Sequence, residues 1–565
     1  MYLRTTQRRN KDGSTVTYFQ LAHNSRDPDT NNSVPKIIHN FGRADQLDRD
    51  ALKRLCVSIS RVCNVEIIDT EEGLITSDKD GAANVDLPQD VTLVRTVELG
   101  PVTVIESLWE ECGIGKVLRA AAKKKRCKIP YERALLAMTA NRLCEPESKL
   151  GVWERWNEKV FLPWASELKL DHMYEAMDLL HANSARVEEE VFFKTADLMN
   201  LNVDVVFYDT TTTSFSIDYE DVDDDENEGM RKLGHSKEGT WTPQVVIALA
   251  VTREGVPVRS WVFPGNTSDV TTVEKIKADL KGWKLGRFLF VADSGMSSED
   301  NRLALGQACG KYLLATRLGS VKEIKEEVIS SRGRYKVISK NLHAKEVVIG
   351  GDGVRRRRYI LCYNPQEAER QRLHRAEVIR ELKAHLAGHK DHLATAQWAV
   401  ELLASKRYKR YLKITESKRF QIDQERIRAI RKQDGKWVLI TNDDTITVED
   451  AALGYKGLLV IERCFRSLKR TQIKMGPMYH WLPHRIEAHV KICVLALLIE
   501  RIAELRCGRP WLRIRTALSR LQATEFRTPS TVFFRRNEPT LELRRLLKSV
   551  GVSMPKAVLG VTQTD

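Results

Sequence analysis

A chain of 565 residues with a formal net charge of +15 is too long for one hydrophobic core, since single cores rarely exceed about 250 to 300 residues. Its Lys and Arg recur from end to end, so an acidic polymer is the first partner to consider. A membrane protein is excluded: the longest apolar run, ICVLALLI at Ile492 to Ile499, is far short of the ~20 residues a span needs, and the opening MYLRTTQRRN carries no secretory pattern, so the expected location is the cytoplasm.

The elements in chain order suggest five regions. Residues 1–85 alternate strand-like runs, TVTYFQLAH and VPKIIHNFG, with turn clusters such as NKDGS and NSRDPDTNNS, and turn helical from about Asp48, as a small α+β module would. The polar stretch Thr76 to Asp90 reads as a linker. Across 86–200 helical spacing dominates, with apolar stripes in IPYERALLAMTANRL and VFFKTADLMNL. The period changes at 201–318, where VDVVFY, QVVIALAV, RSWVFP, RFLFVAD and YLLATRL predict five strands, the second and third joined by a hairpin-like TREGVP. Residues 319–450 read as an α+β insertion: strands RYKVISK and RRRYILCYN, a long helix from about Pro365 to Ser405, then a strand through KWVLITND. Region 451–565 returns to a helical period, with an apolar helix from about Pro483 and a basic tail from about Gly508 expected to be helical. The fold class is therefore multidomain α/β, a mixed sheet flanked by helices and interrupted by an insertion.

Two strands raise the question of chemistry. The run VDVVFY stops at Asp209 and is followed by four threonines, Thr210 to Thr213; RFLFVAD stops at Asp293 before Ser-Gly. Asp209 either opens a polar turn or is a carboxylate fixed by the sheet behind it and presented at its edge, as metal ligation requires. The repetition at Asp293 favours the second reading. A third acid sits in IERCFRSLK, where Glu462, Arg466 and Lys469 are spaced four and then three residues apart and so share a helical face; Tyr455 and Leu458 extend that stripe backwards.

With these residues the chain resembles the DDE-type insertion-sequence transposases, in the subgroup with a Tyr-x2-Arg-x3-Glu-x6-Lys signature and an insertion before the catalytic Glu. Tyr455, Glu462 and Lys469 take the signature's Tyr, Glu and Lys, and Asp209 and Asp293 match its two strand-borne aspartates. Leu458 stands where the signature has Arg, so either Arg466 or, less well placed, Lys456 substitutes or the contact is absent. The phrases GHSKEGTWTPQV, VFPGNTSD and MYHWLPHRIEAH are also typical of the subgroup. The resemblance implies a ribonuclease H-like core, Asp209, Asp293 and Glu462 as catalytic metal ligands, and DNA contacts from Tyr455, Arg466 and Lys469. It also implies Trp437 as a stacking platform for an extruded base, although a half-buried strand tryptophan is an equal reading. Double-stranded DNA, as element ends and as target, would be the partner, with a homodimer in the synaptic complex, no membrane, and a bacterial cytoplasmic, nucleoid-associated location. The N-terminal module would read the element's ends.

The chemistry has its own logic. Cleaving a phosphodiester, or joining it to a 3′-hydroxyl, needs a nucleophile activated and a leaving oxygen stabilised at one phosphorus, which a two-metal site does. Mg²⁺ is held by carboxylates plus substrate oxygens, and Mn²⁺ is expected to substitute. A nuclease without strand transfer would share these acids, and a repurposed DNA-binding protein could retain the fold.

Other features have plainer readings. His235 in GHSK is expected to be a hydrogen-bonded structural histidine, and the acidic run Asp218 to Gly229 a solvated loop. The basic runs Arg355 to Arg358 and Lys123 to Arg126 read as electrostatic footprint. Ten single cysteines with no Cys-x-x-Cys pair fit reduced thiols better than zinc or disulfides.

Overall fold

The computed structural model describes residues 2–9, 15–26, 33–44, 47, 91–123, 129–223, 229–283, 288–307, 310–318, 322–351, 356–388 and 397–563. The expected helix from Asp48, the linker Thr76 to Asp90, most of the Lys123 to Arg126 run and the centre of the acidic run lie outside the described residues. The chain divides into two units, 1–87 and 88–565.

In the first unit β1 (Tyr2–Arg9), β2 (Thr15–Arg26) and β3 (Ser33–Arg43) form an antiparallel meander. The second and third were legible as apolar alternation. β1 was not, because YLRTTQRR is mostly polar and becomes a strand only through its register with β2, Tyr2 opposite Ala22 to Arg9 opposite Thr15.

The second unit is built on a sheet that holds ten strands among the described residues. Within it β5 (Val205–Ser214) lies between β7 (Trp241–Val251), antiparallel, and β9 (Leu289–Ala292), parallel. β8 (Pro257–Pro264) and the short β6 (Lys232–His235) share the far edge of β7, and β10 (Lys311–Thr316) runs parallel to β9. All five expected strands are present. Reading across β8, β7, β5, β9 and β10, the chain visits them in the order three, two, one, four, five.

Residues 319–450 add to the same sheet. β11 (Lys336–Ser339), β12 (Leu342–Ile349), β13 (Arg357–Tyr363) and β16 (Lys436–Thr441) follow one another antiparallel, and β16 pairs with β10. Between β13 and β16 lie the helices Pro365–Ala387 and Gln397–Ala404 and a two-stranded hairpin, β14 (Leu412–Ile414) with β15 (Phe420–Ile422), around a small core of their own.

Strand alternation divides the packing into two layers. Val205, Phe207, Val291 and Leu439 point into a core shared with the helices Tyr131–Cys144, Leu170–Ala182 and Pro483–Cys507. Val206, Tyr208, Phe290 and Val438 point into the opposite core, under the helix Asp269–Lys281. The helix Pro483–Cys507 is buried over most of its length; Pro483 starts it and Gly508, at φ +63°, ends it in the left-handed conformation that glycine adopts without penalty. Its one deeply buried lysine, Lys491, is paired with Glu188 at 2.9 Å and held by the Ser260 carbonyl.

The tail corrects the expectation of an all-helical end. After the helix Trp511–Leu518 come β17 (Gln522–Arg527) and β18 (Thr531–Arg536), then the helix Leu541–Val550 and β19 (Val558–Gln563). These strands close a sheet with β4 (Thr92–Glu98), so that Arg95 reaches Glu525 at 2.7 Å across most of the sequence. Each strand is six or seven residues, and β4, β17 and β18 carry Arg, so they are too short, and these three too charged, to show a period of two on their own.

Two charge runs are committed to structure. Arg356 pairs with Asp444 at 2.7 Å, Arg357 with Glu323 at 2.7 Å, and Arg358, buried on β13, with Glu346. In the described part of the acidic run Asp221 holds Arg231 and Asp223 holds Lys232, so this segment is pinned and not simply solvated. Of the described cysteines all are free, and all but Cys507 are buried. No helix among the described residues is long and apolar enough to cross a membrane.

Candidate active site

Asp209 neither opens a turn nor ends a strand. β5 continues through the four threonines, all buried, to Ser214, and pairs with β7 as far as Gln244. What ends near Asp209 is the parallel ladder on the other edge: β9 pairs with β5 only as far as Phe207 opposite Val291. Two residues further along the chain stand Asp209, still within β5, and Asp293, which follows the end of β9 and leads into the turn Ser294–Met296. The charge of Asp293 acts on the Asp209 carboxyl, so the two acids are neighbours at this end of the ladder.

The threonines divide by face. Thr210 donates to Asp269 at 2.6 Å, and the Thr212 hydroxyl accepts the Lys237 amide at 2.9 Å. Lys237 closes the circuit with an ion pair to Asp269 at 3.0 Å. On the other face, Thr213 contacts the Met475 sulfur at 3.9 Å. The hydroxyls thus anchor β5 to the GHSKEG loop and to the segment after Glu462, satisfying polar groups that would otherwise be costly to bury.

Asp209 accepts the amide of Thr210 at 2.7 Å. Burial pushes its carboxyl up to about 6; the Thr210 amide and Lys237 oppose this, and the charges of Asp293 and Asp269 add to it. Asp293 is exposed and accepts a hydrogen bond from the Tyr455 hydroxyl at 3.1 Å. The phenol of Tyr455 is held well above its usual range, first by burial, then by the charge of Asp293 and its hydrogen bond, and further by Asp209 and Glu462. Tyr455 therefore lies in the field of all three acids, and Glu462 belongs to the same neighbourhood although about 170 residues separate it from Asp293. Among the described residues no group of three or more His, Cys, Asp or Glu side chains is placed to hold a metal ion.

The signature segment is not one helix. The helix Val448–Lys456 carries Tyr455, the chain tightens at Gly457 and Leu458, and the helix Leu459–Arg466 carries Glu462, followed by a wider turn, Ser467–Thr471, that carries Lys469. The single continuous face inferred from spacing is thus divided in three. Gly457 explains the junction: a Cβ there would meet the Phe207 ring at 2.5 Å, so only glycine lets the chain lie this close to β5.

The remaining expected residues scatter around this centre. Lys469 pairs with Glu238 at 3.4 Å, which Arg470 shares at 2.9 Å. Arg466 is exposed and without an ion pair among the described residues. Leu458 is buried in the core, and Lys456 lies near Cys362 on the β13 side. Trp437 sits on β16 opposite Cys362, half-buried against the core, with its indole N–H unpartnered. Three strand spacings, or about 14 Å, separate β16 from β5. His235 packs edge-on against Trp241, ring centroids 4.7 Å apart.

Asp269 and Lys237 escaped the sequence reading. Neither ends a strand; Asp269 opens a helix after GNTS and Lys237 lies in a loop. The phrases GHSKEG and VFPGNTSD had been noted, and these are the residues within them that touch the neighbourhood of Asp209.

Comparison with known proteins gives two family matches. Residues 3–71 match the N-terminal domain of IS1634 family transposases, and residues 205–499 match the transposase DDE domain. No curated protein matches. Among solved structures, the cryo-EM structure of the piggyBac transposase synaptic complex with hairpin DNA aligns with a TM-score of 0.37 and 9% identity over 74% of this chain and 79% of that one. The DDE-domain match spans more than half of the chain and begins on β5, the strand that carries Asp209: the chain belongs to the DDE transposases.

Proposed function

We propose that the protein binds the terminal inverted repeats of an insertion sequence, cleaves the ends by metal-dependent phosphodiester hydrolysis and joins them to target DNA, as a homodimer in the synaptic complex. The observation that carries this reading is the proximity of Asp209, on β5, and Asp293, just past the parallel strand beside it, with Tyr455 on Asp293 and within the field of Glu462. The strand order of β8, β7, β5, β9 and β10 supports a ribonuclease H-like core, and residues 3–71 are the proposed reader of DNA ends.

The donor set fits Mg²⁺, with Mn²⁺ as a substitute: three carboxylates and no soft ligand. Mg²⁺ keeps several waters and is commonly held by one or two carboxylates plus substrate phosphate oxygens, so a closed protein cage is not required. When bound, such ions activate the attacking oxygen and stabilise the leaving one. The protein's own part is to hold Asp209 rigidly in a buried strand, to orient Asp293 through Tyr455, and to bring Glu462 to them on a short helix. Lys469 and Arg466 would meet the DNA backbone, with Lys469 exchanging Glu238 for a phosphate. Trp437 is the proposed stacking platform for an extruded base.

The test is a supercoiled plasmid carrying the DNA that flanks the coding sequence, incubated with the purified protein and Mg²⁺. Paired breaks at inverted repeats, followed by joined products, are expected. Cutting without joining would make the protein a nuclease, and binding without cutting a repurposed DNA-binding protein. In the same assay Tyr455→Phe should slow cleavage about fivefold, the equivalent of one hydrogen bond of ~1 kcal/mol, with no loss of binding; an unchanged rate would mean the hydroxyl does not orient Asp293.

Arg466 offers a sharper test, because Leu458 leaves the signature's guanidinium slot apolar. Arg466→Ala should lower cleavage at least tenfold, in line with the ~1.5 to 3 kcal/mol of a charge-assisted phosphate contact. Leu458 is buried in the core, so Leu458→Arg should lower the melting temperature and not restore a phosphate contact. Normal cutting by Arg466→Ala would show that this arginine does not replace the missing one.

A further inference from the structure

A cavity of about 700 Å³ opens beside the segment that follows the catalytic helix, lined among others by Arg142, Lys149, Lys474, Tyr479, His480 and His489. Its floor is cationic in an unusual way. Lys149 is buried and its ammonium contacts His489 Nδ1 at 2.7 Å. Arg142, also buried, donates to the carbonyls of Lys474 and Glu147 and to the side-chain oxygen of Asn141. None of these acceptors is an anion.

The rest of the fold provides the contrast. Buried Lys491 has Glu188, and buried Arg375 has Asp434. The nearby carboxylate of Glu147 is taken by Arg155 at 2.7 Å and Lys159 at 3.7 Å. Lys149 and Arg142 thus stand together with no carboxylate in ion-pair contact with either among the described residues, and a lysine with three donors spends one on a histidine. Two unpaired buried cations are expensive unless a ligand supplies the counter-charge. Burial and the neighbouring Arg142 accordingly pull the Lys149 ammonium down to about 7.

The cavity is tied to the strand that carries Asp209. Thr213, four residues beyond Asp209 on the same face, contacts the Met475 sulfur at 3.9 Å. The Met475 carbonyl meets His489 Nε2 at 3.0 Å, and His489 meets Lys149. These contacts run through buried side chains, so the cavity is joined to the strand of Asp209 by core packing. Tyr479 at its mouth is 75% exposed and Trp481 65% exposed, rings on which unpaired bases can stack.

We propose that this cavity is a phosphate pocket for a DNA strand held outside the three acids, with Lys149 and Arg142 as its cationic floor and Tyr479 at its mouth. The assignment rests on the proposed DNA-cleaving function. It adds a contact that holds substrate without touching the reacting phosphorus.

The experiment measures binding of the full chain to a labelled duplex of arbitrary sequence with a single-stranded thymidine tail, across a salt series. Lys149→Met should weaken binding at least fivefold and reduce the slope of log affinity against log salt by about 0.7 to 0.9, the release expected for one phosphate contact. A neutral methylphosphonate moved along the tail should weaken binding to the unsubstituted protein at one position and leave the Lys149→Met protein unaffected there. Removing a buried charge should not lower the melting temperature. If it does, Lys474→Ala and Tyr479→Ala, which alter only exposed side chains at the mouth, should abolish the preference for tailed over blunt duplex.

An unchanged salt slope in folded Lys149→Met, with tail preference intact in the mouth variants, would overturn the proposal. So would a pocket that takes inorganic phosphate alone, seen as a rise in melting temperature lost in Lys149→Met while DNA binding is unaltered. Failure of the parent reading would show elsewhere, as normal cutting by Asp209→Asn.

Discussion

Asp209→Asn is expected to lower Mg²⁺-dependent DNA cleavage by at least ~10³-fold, since losing ~4 kcal/mol of metal-borne transition-state stabilisation corresponds to that factor. DNA binding should stay within a factor of about two, because Asp209 carries no positive charge and phosphate contacts dominate affinity. Stability should move the other way. With its carboxyl raised to about 6, mainly by burial, the folded protein holds this proton more tightly than the unfolded chain does. The ionised side chain is therefore unfavourable above about pH 6, and the penalty is relieved as pH falls from 6 towards the ordinary carboxylate range near 4.

Asparagine removes that penalty, so the variant should melt at a higher temperature than the unsubstituted protein near pH 7, by an amount that shrinks as the pH is lowered. Added Mg²⁺ should stabilise the unsubstituted protein and leave the variant nearly unmoved, since only a native-state ligand shifts the folding equilibrium. A variant that melts lower, or that loses cutting and DNA binding together while folded, would make Asp209 structural.

Gly457→Ala tests how the helices carrying Tyr455 and Glu462 are seated. The added methyl would meet the Phe207 ring at 2.5 Å, and Phe207 is only 2% exposed, so the ring has nowhere to turn. At φ −60° the glycine is in an ordinary helical conformation, so the cost is steric and not a matter of backbone strain. Overpacking of this kind costs ~1 to 3 kcal/mol. The larger effect is positional: the junction lies between Tyr455 and Glu462, and a shift of about 1 Å between reacting groups can cost ~10²-fold in rate. Phe207→Leu in the same chain makes room for the methyl, so the double variant should regain most of the lost activity and stability, a coupling that a double-mutant cycle measures. Gly457→Ala with normal cleavage and melting temperature would show that the contact between this junction and β5 does not set the site.

Much of the site was legible because its signals are local. Apolar runs ending at Asp209 and Asp293 mark strands whatever surrounds them, and Tyr455, Glu462 and Lys469 carry their spacing within one short segment. The strand-end reading of Asp209 was nevertheless wrong. Threonine is a good strand former as well as a turn residue, and only pairing with β7 decides that the four threonines extend β5.

The amino-acid sequence by itself determined the basic charge, the five central strands, the helical regions and the acids, since each depends on residue type or on a period of a few residues. The tertiary structure decided what depends on distant partners. Sheet order brought the strand of Asp209 beside the strand that leads to Asp293, although 84 positions separate the two acids in the chain. The same kind of long-range pairing joined β4 to β17, added β16 to the edge of β10, and divided the signature helix where Gly457 meets Phe207. Lys149, Arg142 and His489 carry no mark of one another in the sequence; their meeting in one cavity follows from packing the helix Pro483–Cys507 against the earlier helices, because contact between remote segments is fixed by packing and not by any local propensity.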